Sequence, residues 1–202
     1  TRSLKGKTIN IIMNTLFEKS PREKMHSERV GNISAKIAER LGFDDERMNK
    51  IRTAGYLHDI GKIGIAENIL NKKGKLDAQE RVIMNSHPEK SWRILQNTLE
   101  FSEISNIVLY HHEKWDGRGY PKGLKGNEIP LESRIISVAD AYDAMTNNRS
   151  YRKKISPAEA VEEIKKCSGT HFDPEIVQIF IRQILTYEEE LDLAKKVLDG
   201  DE

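Results

Sequence analysis

Apolar residues recur every three or four positions along most of the chain, which is the spacing of one face of an α-helix. A clear example is the run Ile51, Ala54 and Leu57, which is followed at once by the polar sequence His58 to Lys62. Val, Ile and Thr do not alternate with polar residues over any long stretch, as they do in half-buried strands. The pattern therefore predicts an all-α fold of nine or ten helices, with short loops joining antiparallel neighbours in a bundle.

Start and stop signals set the limits of several helices. Pro21 suits the first turn of a helix that Gly42 ends, and Asp44 or Asp45 caps the next helix. We expect Gly61 to end the helix that carries His58 and Asp59. Residues 63–75 read as irregular, and Asp77 opens a helix through a capping box. Further helices are predicted for residues 4–18, 77–87, 102–113, 131–147 and 187–198, and after the cap at Ser156.

The helical pattern stops between Trp115 and Pro130, a segment rich in Gly and Pro. A loop of about fifteen residues is uncommon in a compact helical domain and usually has a function. We therefore expect this loop to form part of a site.

Length and composition limit the classes of protein. The chain has 202 residues, a net charge of +1, 37% hydrophobic and 32% charged residues, which suits one sizeable domain with an appended helix. The balanced charge gives no signal for a nucleic acid polymer or a membrane surface, and no apolar run approaches the roughly 18 residues of a membrane span.

A single cysteine, Cys167, excludes an internal disulfide and a cysteine zinc site, and fits a reducing, cytoplasmic setting. Because no Met begins the chain, we expect an excised part of a longer protein.

Histidines and carboxylates occupy inward or terminal positions of the predicted helices: His26, His58, Asp59, His87, His111, His112 and Asp140. Asp140 stands in an otherwise apolar run, where a carboxylate is costly to bury unless it is paired or bound to metal. Any one of these histidines alone would more often be a satisfied core residue. Together they favour two divalent ions, and donors without thiolate suit iron or manganese. Two ions about 3.5–4 Å apart activate a hydroxide and clamp a phosphoryl group.

Four sequence motifs carry a specific resemblance: His58-Asp59-Ile60-Gly61-Lys62, His111-His112-Glu113, Asp116-Gly117-Arg118-Gly119-Tyr120-Pro121 and Ala139-Asp140-Ala141-Tyr142-Asp143-Ala144-Met145-Thr146. Over residues 22–185 the chain resembles the HD-GYP family, a branch of the HD-domain metal-dependent phosphohydrolases of bacteria. The resemblance implies an HD-domain helical bundle with additional helices. It also implies hydrolysis of cyclic di-GMP at a centre of two iron or manganese ions.

The resemblance assigns the seven histidines and aspartates above as metal ligands, with Asp59 bridging the two ions and His58, Asp59 and Lys62 as catalytic residues. It implies that Lys62, Arg149 and Arg152 contact the substrate phosphates, since Lys acts as a point charge and Arg as a planar donor. Gly119 and Tyr120 of the loop are further candidates for substrate contact. A metal-bridging hydroxide would attack phosphorus and release linear pGpG, with GMP as the product of a second round.

One position departs from the family pattern. Some members have a Glu four residues before the first histidine that helps to hold a third metal, and this chain has Arg22 there. Glu23 is one step, about 100°, further round a helix and is a weak candidate. We therefore predict a two-metal site.

Two other functions remain open from the sequence. The domain could be a catalytically weak cyclic-dinucleotide sensor that signals to an attached domain. It could also be an HD phosphohydrolase that acts on another cyclic dinucleotide, such as cyclic GMP-AMP, since the guanine-reading residues are not identifiable.

The predicted organisation has three parts. Residues 1–20 form a helix that leads from an upstream sensor or receiver domain, residues 21–186 form the catalytic domain, and residues 187–202 form a charged tail. The first helix is equally compatible with the end of a signalling helix that makes a homodimer contact and with a packed helix of the same core. The segment 115–130, which contains Gly119-Tyr120-Pro121, is called the Gly-Tyr-Pro loop. The family resemblance further implies that this loop can contact a diguanylate cyclase-type domain.

Overall fold

The computed structural model of the protein describes residues 21–97, 99, 101–147 and 154–183, without the side chains of residues 21 and 22. Eight α-helices have defined limits: α1 (Pro21–Arg40), α2 (Asp45–Leu57), α3 (Glu67–Leu70), α4 (Ala78–Met84), α5 (His87–Gln96), α6 (Ser102–Leu109), α7 (Leu131–Thr146) and α8 (Pro157–Lys166). A ninth, α9, covers residues 174–183. Two 3₁₀ turns span Ile60–Gly64 and Gly126–Glu128. The described part of the chain contains no strand, only one isolated bridge between Ser168 and Phe172, so the all-α prediction is confirmed.

The core lies mainly between helices α1, α2, α6 and α7. Helix α1 packs against α2 and α7, α2 also contacts α6, and α5 packs against α6 and the first 3₁₀ turn. The apolar stripe of α2 is fully buried, as its spacing predicts: Ile51, Ala54 and Leu57 are 0% exposed. Burial of a side chain such as Leu57 is worth about 1.5–3 kcal/mol relative to exposure. The inner ends of these helices therefore have fixed positions, and the histidines are located there.

Most helix starts agree with the sequence signals. Asp44 caps α2 by accepting the Arg47 N–H at 2.8 Å, and Asp77 and Glu80 form the predicted capping box. Ser156 caps α8, and Gly42 follows α1 with a φ of +75°. The glycine adopts this left-handed conformation without the penalty that a Cβ would bring.

Helix ends were predicted less well. Helix α6 ends at Leu109, so His111 and His112 lie in the turn after the helix and not within it. The segment 63–75, predicted as irregular, contains the short helix α3. The predicted helices at 4–18 and 187–198 lie outside the described residues.

Gly61 does not end α2, so this prediction was wrong. The helix ends at Leu57 with His58 as its C-terminal cap, and Gly61 lies inside the 3₁₀ turn with an ordinary negative φ. A Cβ at Gly61 would lie 2.2 Å from the His87 carbonyl oxygen and 2.4 Å from the Ser91 nitrogen. The residue is glycine because the turn approaches α5 this closely.

None of the helices in the described ranges combines the length and the apolar character needed to cross a membrane.

The contact between α1 and α2 predicts a stability effect. A Cβ at Gly55 would lie 2.8 Å from the Gly31 Cα, whereas a Cβ at Gly74 would meet no atom within 4 Å. We expect Gly55→Ala to lower the free energy of unfolding by about 1–3 kcal/mol, as overpacking does. Gly74→Ala should change it by no more than about 0.5 kcal/mol. Urea denaturation followed by circular dichroism measures both, and equal effects would contradict the close crossing.

Candidate metal centre

The structure brings all seven predicted ligands together, from positions that span residues 26 to 140. They form two groups, in each of which the candidate ligand atoms lie within 4.8 Å of one another: Asp59, His87, His111 and His112 in group A, and His26, His58 and Asp140 in group B. Five separate segments supply these residues: α1, the end of α2, the start of α5, the turn after α6, and α7. The fold therefore creates this cluster only when all five segments are packed.

Asp59 lies between the two groups. Its Oδ1 is 3.1 Å from the His87 Nε2 in group A, and its Oδ2 is 3.2 Å from the His58 Nε2 in group B. The same Oδ2 lies 3.9 Å from the His26 Nε2. One carboxylate thus directs one oxygen to each group, which is the geometry that a bridging ligand needs.

Three of the imidazoles are oriented by backbone carbonyl groups three residues earlier in the chain. The Nδ1 atoms of His58, His87 and His111 lie 2.6, 2.8 and 2.6 Å from the carbonyl oxygens of Gly55, Met84 and Val108 respectively. A carbonyl oxygen only accepts hydrogen bonds, so each Nδ1 carries the hydrogen. In the neutral ring, the lone pair is then on Nε2, and these Nε2 atoms belong to the two groups.

The donor atoms suit bound cations. Nε2 of His58 and Nε2 of His87 each face an oxygen of Asp59, and the Nε2 atoms of His87 and His112 are 3.2 Å apart. Nε2 of His111 is buried and has no hydrogen-bond partner. Buried polar atoms of these kinds at about 3 Å from one another are unfavourable unless a proton or a cation lies among them. Imidazole and carboxylate without thiolate suit divalent iron or manganese.

Burial and neighbouring charges set the protonation of this cluster. Burial, together with the adjacent histidines, lowers the pKa of His111 well below its usual value and that of His112 to about 3. Burial alone would raise the pKa of the Asp59 carboxyl, but Lys62 and His58 hold it well below its usual value. The two imidazoles are therefore neutral and Asp59 ionised at neutral pH, as metal ligands must be.

His26 differs from the other histidines because carboxylates lie at both ring nitrogens. Its Nδ1 donates to Asp143 at 2.7 Å, and its Nε2 lies 3.2 Å from Asp140. Burial alone would lower the pKa of His26, but the contacts with Asp140 and Asp143 raise it to about 9. Without metal, His26 is an imidazolium at neutral pH, and a cation at Nε2 must displace its proton.

Lys62 lies at the edge of the cluster. Its Nζ is 2.5 Å from Asp59 Oδ2 and 3.3 Å from Glu23 Oε2. The ammonium is therefore close to both groups, as the prediction of a phosphate contact requires. Glu23, the weak candidate for a third metal, belongs to neither group and contacts Lys62 instead. Arg149 and Arg152 lie outside the described residues, so their contact with phosphate stays a prediction.

The Gly-Tyr-Pro loop is fixed by a buried carboxylate that the sequence showed only as part of a motif. Glu113 is 2% exposed and accepts hydrogen bonds from the backbone N–H groups of Lys122, Gly123 and Leu124 at 2.7–3.1 Å. A Cβ at Gly119 would lie 2.3 Å from the Lys114 nitrogen. Gly119 therefore allows the loop to pack on its own base.

Tyr120 lies directly over the cluster as a result. Its ring stacks on the imidazole of His112, with centroids 5.0 Å apart and an angle of 30° between the planes. The ring thus covers one side of a candidate ligand.

Two residues that contact the cluster or its loop were not singled out from the sequence. Asp143 holds His26, and its position three residues after Asp140 puts both carboxylates on one side of α7, which is a usable signal. Glu113 follows the histidine pair directly, but nothing in the sequence shows that its side chain turns towards the backbone of residues 122–124.

In sequence, the chain is similar to proteins named as cyclic-dinucleotide phosphodiesterases. A family model described as "HD domain" matches residues 10–176. A "Cyclic di-GMP phosphodiesterase" of Thermotoga maritima is 43% identical over 174 residues, which are 85% of this chain and 47% of that protein. A "3'3'-cGAMP-specific phosphodiesterase 2" of Vibrio cholerae is 36% identical, covering 84% of this chain and 33% of that protein. The chain thus spans about half or less of the length of these relatives.

Solved structures agree on the fold. Bd1817, a protein of Bdellovibrio bacteriovorus described as HDG"Y"P, matches with a TM-score of 0.66 and 22% identity over 90% of this chain and 61% of that one. The PgpH HD domain of Listeria monocytogenes, solved in complex with cyclic di-AMP, matches with a TM-score of 0.65 and 19% identity over 89% and 96% of the two chains. At these identities the likeness shows a shared helical fold.

The imidazolium form of His26 leads to a prediction about metal binding. Because its pKa is raised to about 9, Mn²⁺ binding at group B near pH 7 should release about one proton from this ring. The affinity should rise about tenfold per pH unit between pH 6.5 and 8.5 and level off above 9. Isothermal titration calorimetry in two buffers of different ionisation enthalpy measures the release.

The variant His26→Gln is the control, because group A should then bind Mn²⁺ without this proton release. An affinity of the wild-type protein that does not change with pH, with no proton released, would contradict the assignment of His26 as a ligand.

Proposed function

The chain belongs to the HD domain family, in its HD-GYP branch, and on that basis we propose that it is a metal-dependent phosphodiesterase that hydrolyses cyclic di-GMP. The observation that carries the proposal is the pair of His/Asp groups connected by Asp59. Relatives whose names specify cyclic di-GMP or 3'3'-cGAMP hydrolysis match most of this chain, which supports the substrate class.

The seven cluster residues would hold two divalent ions, with iron or manganese favoured. Such ions generate a nucleophile from water at neutral pH and neutralise charge on the phosphodiester. The protein contributes by orienting the ligands. Carbonyl groups fix three imidazoles, Asp143 fixes His26, and Ser91 holds the turn that carries Asp59. The Ser91 hydroxyl accepts from the Gly61 N–H at 2.8 Å and donates to the His58 carbonyl at 3.0 Å.

Lys62 is suited to the substrate phosphate. Its ammonium lies 2.5 Å from the Asp59 Oδ2. Once cations neutralise that carboxylate, the ammonium can turn to a non-bridging phosphate oxygen and stabilise the charge that develops in the transition state. Arg149 and Arg152 are proposed as further phosphate contacts on the strength of the sequence.

The Gly-Tyr-Pro loop would form one wall of the substrate site. Glu113 keeps the loop in place, and the ring of Tyr120 lies against His112. Contact of Gly119 and Tyr120 with the nucleotide is part of the proposal. Water adds across one P–O3′ bond, so the first product is linear pGpG, and a second round would give GMP.

Cyclic GMP-AMP is the second candidate substrate, because a relative named for it covers 84% of this chain. The sensor alternative has less support, since all seven candidate ligands are present and converge. An attached sensor or receiver domain, a homodimer and a contact of the loop with a diguanylate cyclase-type domain stay proposals for the longer protein.

The first test is hydrolysis by anaerobically purified protein loaded with Fe²⁺ or Mn²⁺, with cyclic di-GMP and 3'3'-cGAMP compared. We expect turnover of cyclic di-GMP with two metal ions per chain. The variants His58→Ala and Asp59→Ala should each lose more than about 100-fold in rate, because loss of even an outer-shell partner typically costs 10–100-fold.

His171→Ala is the matched control, since His171 is the one histidine outside both groups. It should keep its turnover and both metal ions. Metal-replete wild-type protein that binds cyclic di-GMP without hydrolysing it would refute the phosphodiesterase and favour the sensor. Faster hydrolysis of 3'3'-cGAMP would reassign the substrate.

A second test separates the loop from the metal centre. Glu113→Gln puts an amide hydrogen among three backbone N–H donors, and hydrogen bonds to a charged group are worth about 1.5–3 kcal/mol each. We expect the loop to loosen, the KM for cyclic di-GMP to rise about tenfold or more, and the metal content to stay unchanged. Steady-state kinetics and metal analysis measure these effects.

Glu128→Gln is the comparison variant, because Glu128 accepts a single backbone N–H, that of Lys125, on the exposed side of the same segment. It should leave KM unchanged. A Glu113→Gln enzyme with wild-type KM would show that the carboxylate does not position the substrate wall.

A further inference from the structure

Asp143 is a buried carboxylate surrounded by hydrogen-bond donors. Its side chain is 2% exposed and accepts from His26 Nδ1 at 2.7 Å and from Asn147 Nδ2 at 3.0 Å. Arg29 contacts both carboxylate oxygens, through Nε and, at 3.1 Å, through Nη2. With donors from α1 and from the residue after α7 fixing both oxygens, the carboxylate has a defined position and a defined direction towards His26.

This partner distinguishes His26 from the three imidazoles of the cluster that carbonyl groups hold. Neutral carbonyl oxygens accept the Nδ1 hydrogens of His58, His87 and His111, whereas an anion accepts that of His26. A carboxylate behind a ligating imidazole fixes the ring and makes its other nitrogen a stronger donor to metal. Among the described residues of the cluster, this arrangement occurs in group B.

We propose that Asp143 is a positioning residue that makes the two metal positions unequal, and that the ion in group B depends on its negative charge. This inference rests on the metal centre proposed above. Each group has three candidate ligands of its own and shares Asp59, which directs one oxygen to each group. The charge of Asp143 would strengthen the bond from His26 in group B, whereas neutral carbonyl groups stand behind His58, His87 and His111.

A purely structural role for Asp143 is the competing explanation, because the residue also connects α1 to α7 through Arg29. The two roles differ in what they affect. A structural clamp contributes to the free energy of unfolding and affects both metal positions alike. A positioning residue affects the affinity of group B selectively.

The experiment is a Mn²⁺ titration of wild-type protein and Asp143→Asn, followed by electron paramagnetic resonance and by metal analysis after gel filtration. The asparagine keeps the shape and removes the charge. We expect wild-type protein to hold two Mn²⁺ ions with the signal of a coupled pair. The variant should hold one ion firmly, show an uncoupled signal, and bind the second ion about 10–100-fold more weakly.

Asp173→Asn is the matched control. Asp173 is also buried, and its carboxylate lies 2.6 Å from the guanidinium of Arg134. The same side chain accepts a hydrogen bond from the Glu175 N–H. This variant should lose stability and keep both ions in a coupled pair. Equal loss of metal in the two variants would show a structural effect and overturn the proposal.

The outcomes also separate this inference from the function on which it rests. Wild-type protein that fails to bind two ions would refute the proposed centre itself. Wild-type protein with two ions and an Asp143→Asn variant with the same two affinities would refute only the role of Asp143. If circular dichroism shows that the asparagine variant is unfolded, Asp143→Ser answers the same question. The serine side chain is smaller and brings no amide hydrogen towards Arg29.

Discussion

The repulsion among buried acceptor atoms is the constraint on which the rest of this structure depends. Imidazole nitrogens and carboxylate oxygens from five segments meet at distances near 3 Å around Asp59. Such an arrangement opposes folding when no cation is present. The apolar core between α1, α2, α6 and α7 supplies the stability that holds the segments together, and close glycine contacts such as Gly61 against α5 leave the ligands little freedom to separate.

The surroundings of the cluster explain how the atoms stay in place. Four of the candidate ligands are held from behind: the carbonyl groups of Gly55, Met84 and Val108 hold three imidazoles, and Asp143 holds a fourth. Ser91 fastens the turn that carries Asp59 to the helix that begins with His87. Glu113 performs the equivalent task for the Gly-Tyr-Pro loop. The partners that position the site are thus mostly backbone atoms and short polar side chains.

The sequence predicted well which histidines and aspartates would converge, and predicted poorly the residues that support them, for a physical reason. Few residue types bind metal, and their joint occurrence at helix ends restricts the choice, so all seven candidates converge as expected. Supports such as Asp143 and Glu113 depend on contacts between segments that lie far apart in the chain. The helix at 102–113 was predicted too long. The periodicity of its apolar residues does not show that the helical backbone ends before Tyr110. Gly61 was assigned to a helix end because the sequence alone does not show that this residue lies close to α5.

The carbonyl groups that orient His58, His87 and His111 lie in the last turns of α2, α4 and α6. A helix carries a partial negative charge at this end, which favours nearby cations and disfavours anions. Three such ends face the centre, where the imidazolium of His26, the ammonium of Lys62 and the guanidinium of Arg29 balance the carboxylates of Asp140, Asp59 and Asp143. Divalent ions held by the candidate ligands would add positive charge that these paired groups do not supply in excess. On the proposed function, the attraction for an anionic phosphodiester would therefore come from the bound cations, and substrate binding would depend on the supply of metal.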